Sequence, residues 1–247
     1  MNWGRSLFRT VVLLSLIFAA MVSFGWLWVS SGRRLSRTDR ARWLHNQCKR
    51  GLPLLGVKVV VEGPLPASGL IVSNHLSYLD ILVFSAALPC IFVSKYEVRS
   101  WPLLGALARL GGTIFVNRDR RSETPVVRGQ MEETLLEGVP VVLFPEGTSS
   151  DGSSVLPFRT ALFDPAVRLN LQVTPACIGY SLAEGIAATD VPYWGDMSLV
   201  PHLLKLLSKS KVSARIRISL RSGTYQDRKQ AATLTWAEVV SLGGEQA

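Results

Sequence analysis

The distribution of apolar and charged positions divides this chain in two. From Thr10 to Gly32 no charged residue occurs, and residues 11–29 are dominated by Val, Leu, Ile, Phe, Ala and Trp. As a helix this run reaches roughly 30 Å, about the thickness of a bilayer core. Trp26 and Trp28 stand at its end, where interfacial aromatics collect. The pattern predicts a retained membrane helix. A cleaved signal peptide is the alternative, but the run is long for one and lacks a small-x-small cleavage site. Residues 35–50 follow, rich in arginine with Leu35, Trp43, Leu44 and Cys48 between. They read as a helix on the lipid surface with its bases toward anionic headgroups; a solvated connecting helix is the plainer reading.

Downstream, β-rich runs alternate with helical ones. Strands are predicted over 57–62, 70–73, 91–94, 113–117, 139–144, 173–180 and 214–220, and helices over 79–87, 101–110, 122–137 and 158–169. Ser122 and Pro125 mark the start of the third helix and Gly138 its stop. Pro175, inside the sixth strand, predicts an edge or a bulge there. The alternation implies an α/β fold: a largely parallel mixed sheet of about seven strands covered by helices, behind an N-terminal membrane helix. Residues 1–50 form the membrane part and residues 51–247 one domain.

The net charge of +9 suggests nucleic acid until it is located. Residues 1–50 hold nine Lys/Arg against the single acid Asp39, leaving 18 bases and 17 acids for the remainder. The body is therefore nearly neutral, and a nucleic-acid partner is not expected. Arg33, Arg34, Arg37, Arg40 and Arg42 outweigh Arg5 and Arg9 across the apolar run, which predicts a body facing the cytoplasm from the inner membrane. Three scattered cysteines without C-x-x-C point to neither a disulfide framework nor a metal site.

Candidate chemistry gathers at predicted strand ends, where open α/β sheets bind ligands. His75 follows the run 70–73 and lies five residues before Asp80, at the start of a predicted helix. A carboxylate on one ring nitrogen leaves the other to take a proton from a hydroxyl; a buried histidine satisfied by a carboxylate would read the same. Gly111 and Gly112 permit a tight turn or close backbone approach. Arg118 ends a strand, and its planar fork suits a phosphate. Arg120 and Arg121 read as an ordinary basic loop. Glu146 and Gly147 follow another strand in Phe-Pro-Glu-Gly-Thr, with Gly147 placed for positive φ or close ligand approach. Glu146 is available to substrate hydroxyls or to Arg118. G-x-S-x-G, H-E-x-x-H, G-x-x-x-x-G-K-[ST] and G-x-G-x-x-G are all missing, so a serine hydrolase, zincin, P-loop NTPase or dinucleotide enzyme is unsupported.

Taken in order, these segments resemble the glycerolipid acyltransferase family, and within it the bacterial 1-acyl-sn-glycerol-3-phosphate acyltransferases. Asn74, His75 and Asp80 match N-H-x-x-x-x-D. Gly112, Phe115, Val116 and Arg118 match the second motif, residues 144–148 the third, and residues 173–176 the fourth. The resemblance implies that His75 is the general base, oriented by Asp80. It further implies that Arg118, Glu146, Gly147 and Thr148 bind the acceptor. The donor would be acyl-CoA or acyl-carrier protein as co-substrate, without cofactor or metal, and the partners membrane lipids and a lysolipid. Two departures bear on the acceptor. Ser149 stands where many members carry arginine, and Phe-Arg-Thr-Ala at 158–161 replaces F-K-x-G. Lysophosphatidate is the first expectation and lyso-ornithine lipid the second; a silent lipid-binding protein on the same fold is the reading from another class.

Overall fold

The computed structural model describes residues 2–117 and 124–244. Helix α1 (Trp3–Ser30) and helix α2 (Arg37–Leu54) precede strands β1 (Val57–Glu62) and β2 (Leu70–Ser73). Then come α3 (Leu79–Ala87), β3 (Ile91–Lys95), α4 (Leu104–Leu110), β4 (Ile114–Val116), α5 (Thr124–Leu136), β5 (Val141–Leu143) and α6 (Asp164–Arg168). The chain ends with β6 (Val173–Leu182), α7 (Ala187–Asp190), α8 (Leu199–Leu207), β7 (Val212–Ile218) and α9 (Arg228–Gly244).

The seven strands form one sheet in the order β1-β7-β6-β2-β5-β3-β4. Every pairing is parallel except β6 with β7. Side chains alternate across the sheet. Leu70, Val72, Val141 and Leu143 enter one core, with Met131 of α5, Ala166 of α6 and Ala232 of α9. Ile71, Val142 and Ala176 enter the other, with Phe84 of α3, Leu52 of α2 and Leu206 of α8. The central strands β2 and β5 are buried along their whole length, as continuous apolar runs covered on both faces require.

Pro175 corrects the expectation of an edge or bulge. It lies in β6, between β2 and β7, and pairs with Val72. The β6–β7 ladder starts one residue later, at Ala176↔Ile218, so the missing N–H falls just outside the antiparallel pairing. The Pro175 carbonyl still accepts the amide of Ser219 at 2.9 Å.

The predicted helix over 101–110 begins at Leu104, because Trp101 precedes Pro102 and is held extended. The one predicted over 158–169 is a 3₁₀ turn (Thr160–Phe163) followed by α6, with Pro165 in its first turn. Gly138, at φ 74°, ends α5 as expected. Ser122, Arg120 and Arg121 lie outside the described residues. Helices α7, α8 and α9 were not predicted.

Helix α2 also departs from a simple lipid-surface helix. Trp43, Leu44, Cys48 and Leu52 are buried, and the helix is wedged between α1 and α3. A capping box of Ser36 and Asp39 starts it. Arg37 pairs with Glu133 and Glu137, and Arg40 bonds the Leu110 carbonyl while covering the Phe24 ring. The boundary drawn after residue 50 thus falls within a continuous helix.

Helix α1 runs along this body with both ends docked. Near its start, Ser6 Oγ donates to the Leu204 carbonyl at 2.9 Å and Arg5 to that of Ser208 at 3.0 Å. Arg9 donates to the carbonyls of Lys209 and Ser210. These cations therefore meet the carbonyl end of α8, where the helix dipole favours positive charge. Near its other end, Ala20 and Phe24 pack on Trp43. The outward stripe of Trp3, Leu7, Val11, Leu14, Phe18, Val22 and Trp26 is apolar and exposed.

Candidate functional site

Strand β2 stops at Ser73 while β6, beside it, continues to Leu182. Asn74 bridges the gap. Its side-chain amide donates to the Ile178 carbonyl at 3.0 Å and its Oδ1 accepts the Ile178 amide at 2.8 Å. One side chain thus stands in for a residue of missing strand and satisfies two buried backbone groups of β6. On the other side β2 pairs in parallel with β5, Val72 opposite Leu143. Continuing that register sets His75 level with Glu146.

The loop leaving β2 is held at each polar backbone atom of two successive residues. The His75 amide donates to Glu146 Oε1 at 2.8 Å, and the His75 carbonyl accepts from Ser150 at 3.0 Å. The Leu76 amide donates to Asp80 Oδ2 at 2.7 Å, and the Leu76 carbonyl accepts from Tyr193 at 2.8 Å. Ser149 Oγ donates to the Tyr193 carbonyl, tying the third-motif loop to the same segment.

Asp80 sits in the first turn of α3, completely buried. Its Oδ2 accepts His75 Nδ1 at 2.8 Å together with the amides of Leu76 and Ser77, and its Oδ1 accepts the Tyr180 hydroxyl at 2.6 Å. With Nδ1 committed, Nε2 is the ring nitrogen left for a ligand. The imidazole stacks on Phe144 with centroids 4.2 Å apart. His75 lines a cavity of about 280 Å³ with Tyr78, Trp101, Leu104, Phe144, Thr148 and Trp194. The chamber is largely apolar, with one imidazole at its wall.

Glu146 is turned away from this cavity. Its Oε1 holds His75 and its Oε2 accepts the Leu156 amide at 3.1 Å. Burial pushes its carboxyl up to about 7, outweighing the two backbone bonds that favour the charged form. Its visible work is to place the His75 backbone, a role different from contact with substrate hydroxyls. Gly147 has the positive φ expected of it, 79°, and lines the cavity beside Thr148. His75, Gly147 and Thr148 meet at one cavity with Asp80 behind the imidazole, while Arg118 lies outside the described residues.

His202 plays a different part. It is buried; Tyr78 Oη lies 3.1 Å from its Nδ1, and its Nε2 is 3.1 Å from the Pro192 carbonyl. Burial holds its ring toward the neutral form. The carbonyl requires a proton on Nε2, so Nδ1 accepts from the tyrosine. This histidine braces the Tyr78 and Tyr193 wall of the cavity. Sequence reasoning missed the bracing roles of Asn74 and Tyr180. The one available signal was a polar side chain inside or next to an apolar strand, which demands a partner.

A family model described as Acyltransferase matches residues 57–179. A lyso-ornithine lipid O-acyltransferase of Rhodobacter capsulatus is 35% identical over 80% of this chain and 74% of its own length. Another of that description, from Pseudomonas aeruginosa, is 34% identical over 87% of this chain and 83% of its own. A 1-acyl-sn-glycerol-3-phosphate acyltransferase of Neisseria meningitidis is 34% identical over 66% of this chain and 64% of its own. The crystal structure of a 1-acyl-sn-glycerophosphate acyltransferase from Thermotoga maritima superposes with a TM-score of 0.66 at 22% identity, covering 98% of this chain and 97% of the other. That likeness is one of fold.

Proposed function

Since the chain belongs to the acyltransferase family and is an O-acyltransferase of its lysolipid branch, we propose that it acylates lyso-ornithine lipid from acyl-CoA or acyl-carrier protein. The observation that carries the chemistry is His75 Nδ1 bonded to fully buried Asp80, with the ring at the wall of an apolar cavity. His75 Nε2 takes the proton of the acceptor hydroxyl as its oxygen attacks the thioester carbonyl. The tetrahedral intermediate collapses, the C–S bond breaks, and the departing thiolate receives the proton from the imidazolium. No covalent acyl-enzyme and no cofactor are needed. Base catalysis of this kind contributes about 10²–10⁴-fold, and holding both substrates supplies the rest.

The acceptor reading is supported by the relatives of greatest coverage and by Ser149, which is turned to a backbone carbonyl where many members of the family carry a cation. Lysophosphatidate is the second reading, favoured by the Neisseria relative; there Arg118 would bind the phosphate. Under either, the exposed apolar stripe of α1 lies in the lipid surface, the body on the cytoplasmic side of the inner membrane, and the lysolipid enters from the bilayer.

The test is acyl transfer by purified protein in detergent, offering labelled acyl-CoA or acyl-carrier protein with each lysolipid, alongside His75→Ala. Product from lyso-ornithine lipid, lost in the variant, is the expected result. Product from lysophosphatidate alone moves the protein to the second reading. Product with His75→Ala at the wild-type rate refutes the base.

A further inference from the structure

The proposed mechanism leaves one buried polar group beside the base unused. Tyr180 is in the part of β6 that runs past the end of β2, two residues beyond the Ile178 that Asn74 clamps. Its ring packs against the same core as Ala176 and Ile178, where phenylalanine would serve equally well. A hydroxyl in such a place costs free energy unless it finds a partner. The partner is Asp80 Oδ1, 2.6 Å away, and no other hydrogen-bond donor to that oxygen is found among the described residues.

The division of labour on Asp80 is uneven. Oδ2 receives three donors, the His75 ring and the amides of Leu76 and Ser77, while Oδ1 receives Tyr180. Together they fix the carboxylate plane and spread its charge over four bonds. Burial and the adjacent Asp80 charge drive the ionisation of Tyr180 well above that of an ordinary phenol, so it remains a donor throughout the working pH range. It does not line the cavity beside His75.

We propose that Tyr180 is a positioning residue of this reaction: its hydroxyl orients Asp80 so that Oδ2 meets the His75 ring, and tempers how strongly that carboxylate holds the imidazole proton. The inference rests on His75 serving as the base. Removing the hydroxyl concentrates the carboxylate's charge on its remaining donors, the ring above all, and the imidazolium is held more tightly. The base must then be freed at higher pH. The ionisable groups facing this pair are Glu146, from the loop after β5, Tyr78, which burial keeps protonated, and Tyr180 itself. Among the described residues no lysine or arginine forms an ion pair with Asp80. Glu146 is the same in wild type and variant, so the difference between the two profiles isolates the Tyr180 contribution.

The experiment compares full-length wild type, Tyr180→Phe and a protein with 3-fluorotyrosine at position 180, all in the same detergent. Two readouts are taken: the pH profile of kcat/KM with palmitoyl-CoA and whichever lysolipid the wild type acylates, and the ring resonances of the three histidines by NMR, without substrate. Tyr180→Phe moves the acid limb and the His75 titration midpoint up by about one pH unit, a rate loss of about tenfold on that limb. The fluorinated phenol, a stronger donor, moves both down. Unchanged midpoints in both proteins, or shifts of the same sign, overturn the inference. Failure of the wild type to acylate either lysolipid refutes the function instead, and the NMR arm still decides the role of Tyr180.

Discussion

Replacing Glu146 with glutamine removes a fall in stability toward alkaline pH and makes the protein a poorer catalyst. The carboxyl is raised from 4.5 to about 7, chiefly by burial. Between those values the folded protein holds a proton that the unfolded chain releases. Its stability therefore falls as pH rises through this window, and the contribution is fully lost above pH 7. The gap amounts to about 3 kcal/mol. The amides of His75 and Leu156 both donate to this side chain; the neutral acid keeps an acceptor for each, whereas glutamine accepts from one and turns its NH2 toward the other, a pH-independent cost of about 1–3 kcal/mol. The variant therefore starts about 1–3 kcal/mol behind near pH 4.5 and gains on wild type as pH rises. Between pH 4.5 and 8 the glutamine variant gains about 3 kcal/mol on wild type, or about 6–12 °C in Tm for a chain of this size. Turnover falls by about tenfold at pH 8, as the charged acceptor on the His75 amide is worth more than a neutral one. Unfolding followed by tryptophan fluorescence in detergent from pH 5 to 8 reads the first effect and acyl transfer the second. Parallel stability curves for the two proteins would refute the account of Glu146.

Asp80→Asn keeps the packing but presents a neutral group that no longer favours the Nδ1–H tautomer of His75; acyl transfer falls by about 10²–10⁴-fold with little change in substrate KM. Asn74→Ala strips the partners from the Ile178 amide and carbonyl, each left buried at a cost of about 1–3 kcal/mol, and lowers the midpoint of chemical denaturation accordingly. Arg9→Ala unties the start of α1 from the carbonyls after α8; a loss of about 1.4 kcal/mol there appears as roughly tenfold faster hydrogen exchange over the first turns of α1.

The sheet was legible where alternation or continuous apolar runs met a turn residue. The short strands 57–62 and 70–73 and the helix 79–87 fall where periodicity places them. Helices α8 and α9 were not: α8 has no side-chain cap, while α9 starts at Asp227, whose Oδ1 accepts the amides of Lys229 and Gln230, a start signal that the sequence reading passed over. The His75–Asp80 bond was legible because both members lie within one turn of chain. Glu146 was recognised as important but its task was not. Which backbone amide a carboxylate meets depends on strand order, and a β2–β5 neighbour relation cannot be read from spacing. Tyr180 was hidden for the same reason, being brought to Asp80 by β2–β6 pairing across 100 residues. The arginines of the N-terminal collar looked uniform, yet Arg5, Arg9, Arg37 and Arg40 are occupied by the protein itself.

The four backbone bonds that hold His75 and Leu76 reach forward to Asp80, Glu146, Ser150 and Tyr193. During synthesis, residues 75 and 80 leave the ribosome almost together, but the segment that fastens the loop follows more than a hundred residues later. A nascent chain that has passed residue 80 thus carries the His75–Asp80 pair on a loop still unfastened. The loop is fully held only once Tyr193, the last of its four partners, has been made. Chains that stop short of Tyr193 would lack the bond that holds the Leu76 carbonyl.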